Sequence, residues 1–347
     1  MTPNSYLLDL DNLRPRLGIP AMNTGRQRPL LTPSGIVTDD IEALHAISDE
    51  QGRVMLQSGI EFSLHAYRGQ PEEFLPCLPT LGRLEKAEEQ LLALCRNAAF
   101  EDAIGEHPFV RLTARSRFMG YPLRVDTQGL PQHYGLATDL LDFTSNFDVA
   151  CFFATCRWDS KRREYRPVIE SEKPGVIYRI PPALFVGADL GAELEIVGWQ
   201  PLKRPEQQRA FGLKMKKGMS LNALPFVQMV KFRHCEKIST RIWKSFDEGR
   251  ALFPDDAADE LAKLAETICQ FTLQLVDRAW ERLDAWNENK TTDDYRQAVE
   301  FRSELRLSET NILSWDGLGI EHDERKLADQ LRSILEKVRY RRAIYSV

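Results

Sequence analysis

The chain has 347 residues, enough for one large core or two ordinary ones. Its composition, 43% hydrophobic and 28% charged, excludes wholesale disorder. A net charge of -5 argues against a polyanion binder that uses its whole surface, and leaves room for a local basic patch. Six scattered cysteines (Cys77, Cys95, Cys151, Cys156, Cys235, Cys269) form no CxxC pair. Reduced, mostly buried thiols in a cytoplasmic protein are therefore expected. No apolar run approaches the ~18 residues of a membrane span, and no N-terminal apolar stretch follows basic residues as in a secretory signal.

In chain order, residues 1–35 carry five prolines and one short apolar knot around Leu7 to Leu13, which predicts an extended arm. Val37 to Gln51 is expected to be a short helix capped by Thr38 or Asp39. Ile60, Phe62, Leu64 and Ala66 alternate as in a strand that ends at Arg68-Gly69. Pro71, Pro76 and Pro79 enforce a loop, after which Leu84, Ala87, Leu91, Leu92 and Cys95 mark one helical face. A loop from Pro131 turns apolar at Leu140-Leu141. A buried helix is expected over Asn146 to Trp158, capped by Ser145. Strands are expected at Val176–Ile180, Glu193–Val197 and Phe226–Phe232. From Arg241 onward the periodicity is helical, with stripes over Leu261 to Leu283 and Leu327 to Val338 that serve internal packing or an oligomer interface. The pattern is α+β: a mixed or antiparallel sheet core with flanking helices and a helical C-terminal region. The expected division is an arm at 1–35, an α+β domain at 36–250 and a helical region at 251–347.

No P-loop, dinucleotide-binding GxGxxG, HExxH or GxSxG motif is present, and the six histidines stand too far apart for metal ligation, so no metal is expected. Several polar clusters stand out instead. Arg68, followed by Gly69, suits a phosphate or ribose, since a planar fork beside a permissive glycine can face a ligand; a structural pair with a carboxylate is the alternative. Gln132-His133-Tyr134-Gly135 places three hydrogen-bonding side chains in one loop. Asp142, inside an apolar run, needs a partner, for which Arg68, Arg83 and His133 are candidates. Were that partner a buried cation, losing the acid would cost on the order of 3–5 kcal/mol. Thr144-Ser145 opens a helix, where a serine is a cap or a neighbour of a bound anion. Six basic residues between Lys203 and Lys217 form a local positive loop, either solvated or in contact with a phosphate, a nucleic acid or a protein target.

Together these segments, from about Ile60 to Arg241, resemble the FRG family. They are Tyr67-Arg68-Gly69-Gln70, Leu78-Pro79-Thr80 with Arg83, and Gln132 through Thr138. Leu140-Leu141-Asp142-Phe143-Thr144, Val149-Ala150, Phe152-Phe153-Ala154 and Gln207-Gln208 before Phe211 complete the series. Ala251-Leu252-Phe253-Pro254-Asp255 is similar to the motif near that family's C-terminal edge. Asp139 departs from the family's usual arginine and Arg209 from its frequent glycine. A second resemblance is to arginine–serine–glutamate ADP-ribosyltransferases. It implies NAD as cofactor, Arg68 on its phosphate or ribose, and Ser145 beside the nicotinamide ribose. It also implies a ribose-polarising acid, for which Glu206 is the first candidate and Glu195, in the Glu193–Glu195 ExE, the second. The expected catalytic set is Arg68, His133, Ser145 and Glu206. The expected cofactor-binding set is Arg68, Gly69, Gln132, Tyr134 and Thr144. A toxin or phage-defence effector using NAD is one implied function. A non-catalytic module that recognises a nucleotide, nucleic acid or protein is the alternative, and a nuclease using His133 and Asp142 is a third class.

Overall fold

The computed structural model describes residues 7–19, 28–32, 35–39, 44–49, 51–58, 65–185 and 190–339. At its centre lies a six-stranded sheet. Its strands are β1 (Ala66–Gln70), β2 (Leu140–Thr144), β3 (Gly175–Ile180), β4 (Ala192–Ile196), β5 (Ala210–Met215) and β6 (Gln228–Phe232), in the order β4-β5-β2-β1-β3-β6. Every neighbouring pair is antiparallel. The fold is α+β as expected, with eleven helices among the described residues.

Alternation along the strands sends successive side chains to opposite faces. On one face Ala66, Leu141, Phe143, Val176, Tyr178, Ile180 and Leu213 form a core with Phe185 and Leu221. On the other, Tyr67, Ile177 and Phe232 meet helix α5 (Phe147–Thr155), with α1 (Leu10–Arg16) and α7 (Glu236–Ser245) packed behind it. Gly69 makes that second contact possible. A Cβ there would stand 1.8 Å from the backbone oxygen of Ala150, so α5 lies against β1 only where a side chain is missing.

A third core is helical. The 20-residue helix α2 (Ala87–Glu106) buries Ala93, Ala98, Ala99 and Ala103, and α8 (Ala258–Thr267), α9 (Leu273–Trp286) and α10 (Asp293–Glu304) pack around it. Small residues along α2 let several neighbours approach it closely. The Leu261–Leu283 stripe thus shares a core with a helix from the middle of the chain, whereas the Leu327–Val338 stripe packs in a separate cluster with Leu44, Leu56, Phe109 and Trp199. Internal packing accounts for both apolar faces.

Several expectations are corrected. The helix expected at Val37 to Gln51 is replaced by strands at Gly35–Asp39 and Leu44–Ser48; the latter pairs with Val54–Ser58 across a turn in which Asp49 binds Arg53. The expected arm contains α1, whose Leu10 and Leu13 are buried beside α5. The first half of the strand expected from Ile60 lies outside the described residues, and Arg68-Gly69 sits inside β1 rather than at its end. The helix after Ser145 is capped by Asn146, whose Oδ1 accepts from Asp148 N at 2.9 Å, and it gives way at Cys156 to a hairpin. Strand β5 falls within the segment taken for a solvated basic loop. All six cysteines are free, and four are buried. No described helix is long and apolar enough to cross a membrane.

Two measurements test these contacts. Gly69→Ala should cost about 3 kcal/mol or more in urea unfolding, because the new methyl meets backbone rather than a yielding side chain. His107 supplies the second. It caps α3 (Pro108–Arg115) by accepting from Phe109 N at 2.9 Å, and packs 4.3 Å from Trp315. Burial, and then the facing His322, lower its pKa from 6.5 to about 4, while Asp256 acts weakly the other way. The unfolded chain therefore binds the proton first, and stability falls as pH drops through the window from 6.5 to about 4. Between about pH 7 and pH 5 the loss should be about 2 kcal/mol, and His107→Gln should flatten that slope.

Candidate functional site

Strands β1 and β2 are neighbours in the sheet, yet they share a single ladder pair, Tyr67 with Thr144. On its other edge β2 pairs Thr144 with Ala210 of β5. Tyr67, Thr144 and Ala210 thus form one row, with Arg68, Ser145 and Arg209 each one residue away. Beyond this row β1 and β2 part.

Arg68 spans the gap. Its Nη1 donates to the backbone oxygen of Asp142 at 2.9 Å, while its buried Nε has no hydrogen-bond partner. The Asp142 carboxylate accepts from Gln132 Nε2 at 3.0 Å, and the Gln132 oxygen accepts from the Thr138 hydroxyl. Thr138 O in turn accepts from Leu81 N at 2.9 Å, which fixes the turn that carries Arg83. The three segments singled out in the sequence are therefore joined by one chain of hydrogen bonds, from Arg68 through Asp142, Gln132 and Thr138 to Leu81. Arg83 donates through Nε to Leu78 O at 3.0 Å. Burial, and then the Arg68 charge, push its pKa below the usual guanidinium range. Each guanidinium makes its described hydrogen bond to a backbone carbonyl, and neither forms an ion pair with a carboxylate among the described residues. Two like charges set together this way favour an anion between them.

The remaining expected residues are placed differently. His133 ends the short helix α4 (Leu130–His133), and its Nδ1 lies 3.1 Å from Gln208 Oε1. Gln208 also donates to Leu252 O at 3.1 Å. Arg204 of α6 (Lys203–Gln208) donates to His133 O at 3.2 Å, pairs with Asp259, and lies 4.7 Å from the Tyr134 ring centre. The Tyr134 hydroxyl donates to Asp256 at 2.8 Å, and burial pushes its pKa upward. His133 and Tyr134 thus clamp α6 and the 252–259 segment together, while Gln132 alone of that loop turns to Asp142. Gly69 serves the packing of α5. Thr144 and Ser145 are buried; the Thr144 hydroxyl accepts from Asn146 N at 3.0 Å.

Burial raises the pKa of both candidate acids. Glu206 lies on α6 near Arg209, whose charge opposes that shift. Glu195 lies on β4, 3.6 Å from Lys214, and lines a cavity of about 780 Å³ between the β4–β5 edge and helices α2 and α9. Arg209 has φ +48°, the left-handed conformation that glycine adopts most easily, so its place after α6 explains why glycine suits that position. The basic run 203–217 is largely neutralised. Arg204 is buried on Asp259, Lys214 meets Glu195, Lys216 meets Glu288 at 3.1 Å and Lys217 meets Asp294 at 3.4 Å. Among the described residues no group of His, Cys, Asp and Glu is arranged to hold a metal ion.

The FRG domain model matches residues 63–163, which takes in Arg68-Gly69, the Gln132 loop and Asp142 to Ser145. The chain carries an FRG domain. No curated protein and no solved structure matches it. Within the FRG domain, sequence reasoning named Arg83 only as a partner for Asp142. Its place beside Arg68 comes from the turn that Thr138 holds, for which the signal was Leu78-Pro79-Thr80 recurring with Gln132 through Thr138.

The partner of Asp142 is an amide, not a cation, and this lowers the expected cost of losing it. Asp142→Ala should destabilise the FRG domain by about 1–2 kcal/mol in urea unfolding, the scale of one hydrogen bond. A loss near 4 kcal/mol would mean that the acid balances a buried positive charge.

Proposed function

We propose that the gap between β1 and β2 binds the phosphates of a nucleotide, and that the nucleotide is an NAD-type dinucleotide. The observation that carries this reading is the pairing of Arg68 with Arg83, two guanidiniums held by backbone oxygens and lacking a carboxylate countercharge. A diphosphate supplies the missing charge and accepts planar bidentate hydrogen bonds. What supports ADP-ribosyl chemistry there is that Arg68 lies on one side of the row Tyr67–Thr144–Ala210 and Ser145, with Arg209 at the end of α6, diagonally across it on the other. In that use Arg68 holds the phosphates, Ser145 adjoins the nicotinamide ribose, and Glu206 polarises the ribose as positive charge develops.

A second reading, nucleotide recognition without turnover, is favoured by the internal hydrogen bonds of Gln132, His133 and Gln208, which tie up much of the site's polar capacity.

Titration with NAD and assay of free nicotinamide separate the two. Arg68→Ala and Arg83→Ala should each weaken NAD binding about tenfold or more. Glu206→Gln should lower turnover while leaving affinity within about twofold, because its contact strengthens only in the transition state. Saturable binding without nicotinamide release would establish the second reading. A wild-type protein that does neither overturns the NAD reading and leaves recognition of another nucleotide, a nucleic acid or a protein as the leading one.

A further inference from the structure

The hairpin of strands Cys156–Asp159 and Glu164–Pro167 plays no part in the site above, and its surface has a distinct character. Within these twelve residues Arg157, Lys161, Arg162, Arg163 and Arg166 stand against Asp159 and Glu164, a local charge of +3 on a chain of net charge -5. Both acids are engaged. Glu164 lies 3.1 Å from Arg166, and the Asp159 carboxylate accepts the backbone N–H groups of Lys161 and Arg162 at 3.0 and 3.2 Å. Arg157 lies 3.7 Å from Glu72. The three tip cations Lys161, Arg162 and Arg163 are exposed, and their side chains form no ion pair among the described residues; Glu260, paired with Lys263, also feels the Arg163 charge. They contrast with the 203–217 run, where Lys214, Lys216 and Lys217 each meet an acid.

Beside the tip stands Trp158, 54% exposed and the most exposed tryptophan among the described residues. It is braced rather than loose. Tyr165, across the hairpin, meets it edge-on at 5.3 Å and is itself stacked on Phe253 at 4.8 Å. Trp243 secures the same strand by donating to Tyr165 O at 2.8 Å. A shallow groove of about 480 Å³ runs alongside, walled by Trp158, Lys161, Arg166 and the exposed Ile169, with Glu170 at its edge. Exposing a large indole next to unpaired cations carries a cost in water, and a rigid aromatic platform flanked by positive charge has a matching ligand: an unpaired base stacked on the ring, with phosphates on either side.

We infer that this hairpin is a docking surface for single-stranded nucleic acid. Trp158 stacks on a base, and Lys161, Arg162 and Arg163 neutralise the adjoining phosphates. The single strand is the form that fits, because a duplex keeps its base faces stacked away from an indole. With about three to five phosphates engaged, affinity should fall with salt at a log–log slope of about -2 to -3.5.

The test is fluorescence anisotropy of a labelled, mixed-sequence single strand of about 15 nucleotides, as RNA and as DNA, with a duplex of the same length as comparison. All substitutions lie at exposed positions, and melting temperatures check that the fold survives. Trp158→Ala should weaken binding about 5- to 100-fold, Trp158→Phe much less, and the triple change Lys161→Glu, Arg162→Glu, Arg163→Glu should abolish it. Absence of binding at about 50 mM salt overturns the inference. So does binding that neither the Trp158→Ala nor the triple variant alters. Equal affinity for the duplex, for a polyglutamate of similar length or for anionic vesicles would also overturn it, since each would show charge attraction without base stacking. NAD binding and nicotinamide release should be unchanged in all these variants.

Discussion

Two central strands of the sheet touch at one residue pair, and Arg68 closes the gap that this leaves. The guanidinium reaches the backbone oxygen of Asp142 at 2.9 Å, on a strand that β1 has stopped pairing with. From this follow the turn of Gln132 toward Asp142, the anchoring of Thr138 and the placement of Arg83. Period-two alternation then assigns each residue of Tyr67-Arg68-Gly69 a separate duty. Tyr67 enters the core edge-on to Phe147 at 5.3 Å, Arg68 faces the gap, and Gly69 leaves room for α5. The tripeptide is thus a packing device and a charge-placing device together, and a substitution at any of its positions acts through different physics.

Much of this was legible in the sequence. The α+β class followed from short alternating segments ahead of long 3.6-period stripes, and β3, β4 and β6 lie within a residue or two of where alternation placed them. Polar residues set at the edges of apolar runs led to the expectation that Arg68, Gln132, His133, Asp142 and Ser145 share one cleft; hydrogen bonds link Arg68, Asp142 and Gln132, while His133 turns to Gln208. What could not be read was direction. His133 and Gln132 are adjacent, yet one turns to α6 and the other to β2, and no local pattern distinguishes them. Gly69 suggested a ligand's approach when the approaching body was a helix. Strand β5 was hidden because Lys214 and Lys216 sit in and beside it, and charge masked its alternation.

Charge is distributed with economy over the surface. Of the lysines that look like a patch in the sequence, Lys214, Lys216 and Lys217 are matched with acids from β4, the residues after α9 and α10. Two groups of cations without an ion pair among the described residues bear on binding: Arg68 with Arg83 beside the gap between β1 and β2, and Lys161 to Arg163 at the tip of the 156–167 hairpin. The first joins a half-buried arginine to an exposed one; the second is exposed throughout.

The central claim is that Arg68 and Arg83 await an anion. The direct measurement is the NMR signal of each arginine Nε–H, assigned with Arg68→Lys and Arg83→Lys proteins and followed during titration with inorganic pyrophosphate. The account predicts that the Arg68 and Arg83 signals move together along one saturable curve, and that either substitution weakens the response of the other arginine. Pyrophosphate that leaves both signals in place, or shifts them no more than exposed arginines elsewhere, would contradict it.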